Sequence, residues 1–141
     1  GLAIMAAVML TAVPLTSGWV DSASVTETKA ALQKAFSRTK SVALENSAKI
    51  VNASASAYLC NSAGVIYVQA VDQVTCGTRP IWKTALKTNV TLTVADTNFA
   101  CIGLNNLGIP VALTLASGTV CSVSKIVTVR KGQATDVRTL Y

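Results

Sequence analysis

At 141 residues the chain supports one domain with enough length for a core. Its residues are 51% hydrophobic and only 13% charged, against about a quarter charged in average usage, which calls for a membrane contact or a large buried interface between copies. The net charge of +6 permits contact with acidic surfaces without requiring it, and the absence of histidine excludes Ser-His-Asp and Cys-His catalysis and removes the commonest metal ligand. The carboxylates Asp21, Glu27, Glu45, Asp72, Asp96 and Asp136 are scattered and form no spaced acid–base pair. Neither an enzyme, a cofactor nor a small-molecule substrate is expected.

The hydrophobic excess sits at the start. Residues 1–13 (GLAIMAAVMLTAV) carry no charge and a single hydroxyl, Thr11. As a helix they span about 20 Å, short of the ~30 Å hydrocarbon core, so alone they do not cross a bilayer. They lack the basic n-region and small-residue cleavage site of a signal peptide. The chain begins at Gly1 rather than Met, and further residues are expected ahead of it; about two more apolar turns would complete a spanning helix.

Pro14 removes a backbone donor and crowds the preceding turn, and Gly18 adds looseness, so a break or kink is expected across Pro14 and Gly18. Trp19 stands where the apolar rod meets a polar segment, which suits an interfacial aromatic or simple packing against a neighbour.

From Asp21 to Ile50 the spacing is helical. Val25, Leu32, Phe36, Ala43 and Ile50 form one stripe, with Ala35 beside it and Lys29 and Thr39 completing the row. Asp21 and Glu27 come early and the basic residues later, which suits the dipole of a helix restarting near Asp21. The stretch from Asn52 to Ser56 ends it.

Short strands follow. Tyr58–Cys60 and Val65–Val71 flank a turn at 61–64 and predict a hairpin. The segment 76–80 is a loop, and 81–86 is ambiguous. Val90–Val94 alternates cleanly. Phe99–Ile102 and Val111–Leu115 are further strands, Val120–Val129 is a long β-branched one, and Ala134–Tyr141 forms a last edge strand after a turn at 130–133. The expected organisation is an apolar stem (1–20), an amphipathic helix (21–56) and an antiparallel β head (57–141). The fold class is α+β, with a long N-terminal helix, kinked near Pro14, packed on one face of a sheet.

The cysteines are Cys60, Cys76, Cys101 and Cys121. None lies in a CxxC arrangement, and an even count at wide spacing favours disulfides in an oxidising compartment. Three pairings are open. Cys60–Cys76 with Cys101–Cys121 is preferred, because each closes a modest loop and staples neighbouring strands. Asn52-Ala-Ser54 and Asn89-Val-Thr91 match the N-glycosylation pattern.

The order of these features resembles the type IV pilin superfamily, which spans type IV pilins, type II secretion pseudopilins and competence pilins. The stem LAIMAAVMLTAVP, followed by a helix carrying Ala-Leu-Gln-Lys-Ala-Phe and Ser-Val-Ala-Leu-Glu-Asn, is similar to that family's stem and helix. Pro14 matches its helix-breaking proline. Phe99-Ala-Cys-Ile-Gly-Leu-Asn-Asn-Leu-Gly-Ile-Pro110, with Ile126-Val-Thr-Val-Arg-Lys-Gly132, resembles the GspH/FimT-like branch, whose members pair a Gly-rich loop with a final basic strand. Family members begin with a processed, N-methylated residue followed shortly by a glutamate, and this chain has neither. With Pro14 aligned that glutamate would lie upstream of Gly1, and the first turns are expected to be absent here.

The resemblance implies a structural subunit of an extracellular filament on a bacterial surface, drawn from an inner-membrane pool and polymerising with many copies of itself. The implied filament-core contacts are Leu2, Ile4, Met5, Val8, Met9, Leu10 and Val13. Burying them at about 25 cal/mol per Å² would give cohesion among copies. A major subunit is expected, with a tip subunit of a type II secretion pseudopilus as an alternative. A DNA-uptake role is another, through Lys125, Arg130, Lys131 and Arg138 with Tyr141 available for stacking, because phosphate contacts need only positive charge.

Overall fold

The computed structural model describes residues 2–46, 49–51, 53–72 and 75–141, with side chains from Gly18 onward. A single helix, α1 (Leu2–Glu45), precedes the strands β1 (Ala57–Ser62), β2 (Val65–Ala70), β3 (Trp82–Ala85), β4 (Thr91–Val94), β5 (Thr97–Asn98), β6 (Cys101–Leu104), β7 (Pro110–Val111), β8 (Ile126–Lys131) and β9 (Ala134–Thr139). The architecture is α+β, one helix on antiparallel sheets.

The helix is not broken where a break was expected. It runs through Pro14 and Gly18 without interruption. Proline's φ is itself helical and its ring removes only one amide donor, so the hydrogen bonds of the flanking turns carry the helix past it. The helix also does not restart at Asp21, and it stops at Glu45, well short of residues 52–56. Asn46 ends it by turning left-handed (φ 48°), a cap that asparagine adopts at little cost. The Asn46 side chain then closes the exit: its Oδ1 accepts from the Ile50 amide at 2.7 Å, and its Nδ2 donates to the Ile50 carbonyl at 2.9 Å. Ile50 therefore sits beyond the helix, half-buried, rather than at the end of its stripe.

The strands form two sheets rather than one. The first has the order β3-β2-β1-β6-β7 and the second β5-β4-β8-β9. The expected strand 120–129 is what divides. Cys121 is tied to Cys101, and the Ser122 amide donates to the Cys101 carbonyl at 2.8 Å, so this part of the chain stays with the first sheet. The hydroxyls of Ser122 and Ser124 then accept from the amides of Ser124 and Ile126, interrupting the extended run by local side-chain turns. Only Ile126–Lys131 joins the second sheet. The expected strand at 111–115 likewise shrinks to β7 and one bridge, Thr114 to Val120.

Tight turns set the hairpins. Ala63 and Gly64 between β1 and β2 have φ of 51° and 79°, and Ala95 and Asp96 between β4 and β5 have 50° and 63°. Both pairs follow the two-positive pattern of a type I′ hairpin.

One side of α1 lies across both sheets. Val25, Leu32, Ala35, Phe36, Thr39 and Ala43 are buried there as the stripe predicts, together with Val42, which the stripe does not include; Lys29 of the stripe forms an ion pair at the margin. They meet Ala57, Leu59, Ile66, Val68, Ile102 and Leu104 of the first sheet, and Leu92, Val127 and Val129 of the second. Fully burying each large aliphatic or aromatic side chain contributes about 1.5–3 kcal/mol. On the far face of the first sheet, Tyr58, Cys60, Cys101, Leu115 and Cys121 form a smaller cluster under the disulfide-bonded loops.

Candidate functional site

The N-terminal stem is the first candidate. The helix side chains that the sheets bury begin at Ser24 and Val25, while Trp19 is 73% exposed and Val20 is exposed beside it. At about 1.5 Å per residue, helix α1 carries the backbone about 33 Å from Ser24 back to Leu2. Leu2, Ile4, Met5, Val8, Met9, Leu10 and Val13 all lie on this helical backbone; their side chains, with that of Pro14, lie outside the described ones. Among the described residues, no helix is long and apolar enough to cross a membrane.

The head holds the rod firmly. Lys29 of α1 donates to the Asp136 carboxylate on β9. That hydrogen bond, with one from the Val137 amide and the lysine's charge, holds the Asp136 carboxyl below the usual carboxylate range. Gln33 brackets Tyr141: its Nε2 donates to the Tyr141 carbonyl at 2.7 Å and its Oε1 accepts from the Tyr141 amide at 3.1 Å. Lys131 Nζ reaches Ser24 Oγ at 3.4 Å, and Lys87 pairs with Glu27 at 3.3 Å. The Ser56 hydroxyl donates to the Ala43 carbonyl at 2.8 Å. These contacts tie the helix between Ser24 and Ala43 to both sheets.

The cysteines pair as Cys60–Cys76 and Cys101–Cys121. Cys60 and Cys101 sit directly opposite each other on β1 and β6, so both bridges leave one spot on the sheet and each pins a different covering loop. The loop holding Cys76 is fixed a second time. The Gln69 side chain, fully buried, donates to the Tyr58 hydroxyl at 2.8 Å and to the Thr75 carbonyl at 2.9 Å, and it accepts from the Gly77 amide at 2.6 Å.

The basic residues do not form one patch. On β8 the alternation turns Val127, Val129 and Lys131 toward the helix and Arg130 away from it. Arg138 lies opposite Val127 and so shares the helix side, half-buried. Arg130 instead stands on the outer face opposite Thr91 and Thr135. Lys125 precedes β8, its carbonyl accepting from the Leu140 amide at 2.8 Å. Tyr141 is 69% exposed. The split of Arg130 from Lys131 was legible in the strand, since neighbours on a strand face opposite ways.

Sequence reasoning missed the roles of Gln33 and Asp136, which carry no local signal because their partners lie far along the chain. It also missed Asn105, whose Oδ1 accepts from the Leu107 and Ile109 amides at 3.0 Å each and so shapes the loop before β7. Of the glycosylation matches, Asn89 is exposed in a turn with φ 62°, whereas Asn52 lies outside the described residues. Among the described residues, no group of three or more His, Cys, Asp or Glu gathers to hold a metal ion. The chain matches no family model, and neither a curated protein nor a solved structure is significantly similar to it.

Proposed function

We propose that this chain is the structural subunit of an extracellular filament of the type IV pilin kind, polymerising through its N-terminal helix, with the β head outward. The observation that carries the reading is the run of α1 ahead of the head, a helical segment whose residues 2–15 include no charged side chain. An apolar rod of that length is stabilised only when its surface leaves water, in lipid or against other copies. The continuity of the stem with the part of α1 that the head anchors supports this reading, and the two disulfides suit a head that works outside the cell. Arg130 stands on the opposite sheet face from Lys131 and Arg138, so the nucleic-acid alternative would have to draw on both faces of the sheet.

The test is assembly of the full chain, transferred from detergent into buffer and examined by electron microscopy and sedimentation. Fibres are expected, and deletion of residues 2–17 should give a dispersed head that retains its fold. A full chain that stays dispersed without detergent would overturn the reading.

A further inference from the structure

The four cysteines gather on the far face of the first sheet. Cys60, Cys101 and Cys121 are buried in one cluster, and Cys76 packs against it, half-buried. Cys60 on β1 stands directly opposite Cys101 on β6, yet the two belong to different bridges. The Asn61 amide donates to the Ala100 carbonyl at 2.7 Å. The adjoining pair, Cys60 and Cys101, is therefore a non-hydrogen-bonded one, whose Cα atoms stand about 4.5 Å apart with both side chains on one face. Disulfides join Cα atoms about 4.4–6.8 Å apart, so a Cys60–Cys101 bond fits without moving either strand.

We propose that the two bridges form one thiol-triggered switch: reduction of either lets Cys60 and Cys101 join, which moves the free thiols to Cys76 and Cys121. The reductant is a dithiol, either a small molecule or a redox protein. It gives two electrons and two protons to the Cys60–Cys76 bridge and leaves as its own disulfide. Cys76 is the point of entry, because it is half-buried whereas Cys60 is fully buried. The Cys60 thiolate then attacks Cys101 Sγ through the ordinary exchange reaction. The Cys60–Cys101 bond forms and the Cys101–Cys121 bond breaks. The Cys121 sulfur leaves with the electron pair and takes up a proton in place of the one Cys60 lost. Reducing Cys101–Cys121 instead frees Cys101, which attacks Cys60 Sγ and expels Cys76, so both routes end at the same isomer. There β1 and β6 are pinned to each other and their covering loops are not. The segment 112–125 loses its covalent tie to the first sheet, while the loop at Cys76 stays held by Gln69 through the Thr75 carbonyl and the Gly77 amide. The thiol delivered to Cys76 is thus fixed in place at a half-buried site. The switch is independent of the filament reading.

Every described cysteine is paired, so removing one leaves a single thiol whose position can be followed. Full-length variants in detergent are held at about pH 8, where thiolate is populated, then acid-quenched, denatured, alkylated and mapped by mass spectrometry. In Cys76→Ser the lone thiol starts at Cys60, and in Cys121→Ser it starts at Cys101. Alkylation is expected on Cys121 in the first and on Cys76 in the second, each with a linked Cys60–Cys101 peptide. Cys60→Ser lacks one of the facing pair, and its label should stay on Cys76. Label on Cys121 should be at least tenfold greater in Cys76→Ser than in Cys60→Ser. Label confined to Cys60 in Cys76→Ser, with Cys101–Cys121 intact, overturns the switch. Equal label on Cys121 in Cys76→Ser and Cys60→Ser shows indiscriminate scrambling and overturns it too. The unsubstituted chain, treated with a limiting amount of dithiol, tests the same step without a variant that fails to fold. Its one-bridge species should carry Cys60–Cys101, and a one-bridge species that keeps only Cys60–Cys76 or Cys101–Cys121 overturns the switch.

Discussion

Gln33 grips the backbone of Tyr141 with both ends of its side-chain amide, donating to the carbonyl at 2.7 Å and accepting from the amide at 3.1 Å. The residue before Tyr141, Leu140, is fully buried, so the clamp closes the C-terminal segment over the helix. Gln33→Ala is expected to cost about 1 kcal/mol of unfolding free energy. It should also speed hydrogen exchange at the Tyr141 amide, while the Leu140 amide, bonded to the Lys125 carbonyl, stays protected. Unchanged exchange at Tyr141 would contradict the clamp.

The Lys29–Asp136 pair makes stability fall in acid. Lys29's hydrogen bond is the largest cause of the lowered Asp136 pKa, followed by the Val137 amide and the lysine charge. A carboxylate whose folded pKa lies below its unfolded value of about 3.9 is bound more favourably in the folded state while ionised. Its contribution is therefore present above about pH 4 and is lost as pH falls through the lowered folded value. Asp136→Asn should flatten the acid limb of stability against pH, and an NMR titration of the Asp136 carboxyl should show the midpoint below that of a model aspartate.

Much of this fold is legible in the sequence because its signals are local. The spacing of Val25, Leu32, Phe36 and Ala43 reports the buried helix face, which the structure places against both sheets. The alternation in Val65–Val71 and the turn before it report the first hairpin. The apolar stem stands out by composition alone. What escapes is set by contacts distant in sequence. The long β-branched stretch 120–129 reads as one strand, yet the Cys101–Cys121 bridge and two serine turns part it between sheets. The helix end was hidden because Asn46, not a glycine, takes the left-handed position. The brackets that fix the rod, Gln33 to Tyr141 and Lys29 to Asp136, join residues 108 and 107 positions apart.

Each disulfide should stabilise the head by about 3 kcal/mol, the chain-entropy expectation for loops of this size. The two bridges close spans of 16 and 20 residues. Their loss should differ in kind. Cys60→Ser/Cys76→Ser leaves the loop held by Gln69 through the Thr75 carbonyl and Gly77 amide. Cys101→Ser/Cys121→Ser frees the crossing from the first sheet to the second. Protease nicking in the native state is therefore expected within 112–125 of the second variant and not within 75–80 of the first.

Two glycines resist substitution for different reasons. A Cβ on Gly103 would lie 3.0 Å from Leu113 Cβ and 3.1 Å from Ala55 Cβ, so Gly103→Ala overpacks the interface beneath the 112–120 loop. Gly132 has φ +58°, and a Cβ there would come within 2.6 Å of Asp21 Oδ2. Overpacking of this kind costs about 1–3 kcal/mol. Adding Asp21→Ala should recover part of the loss in Gly132→Ala, and it should recover none in Gly103→Ala. Equal recovery in both would show that Asp21 does not crowd the turn.

Tyr58 should set the alkaline limit of the head. Burial pushes its phenol up to about 12, with the Asp72 charge adding to the rise and the Gln69 hydrogen bond opposing it. A group whose folded pKa exceeds its unfolded value of about 10 stabilises the fold fully below that value. That contribution is lost as pH rises from about 10 toward 12, because the unfolded chain gives up the proton first. Absorbance of phenolate should show a late tyrosine step that coincides with loss of structure by circular dichroism. Tyr58→Phe should remove the step and shift alkaline unfolding to higher pH; if the variant unfolds at the same pH as the parent chain, another group governs that limit.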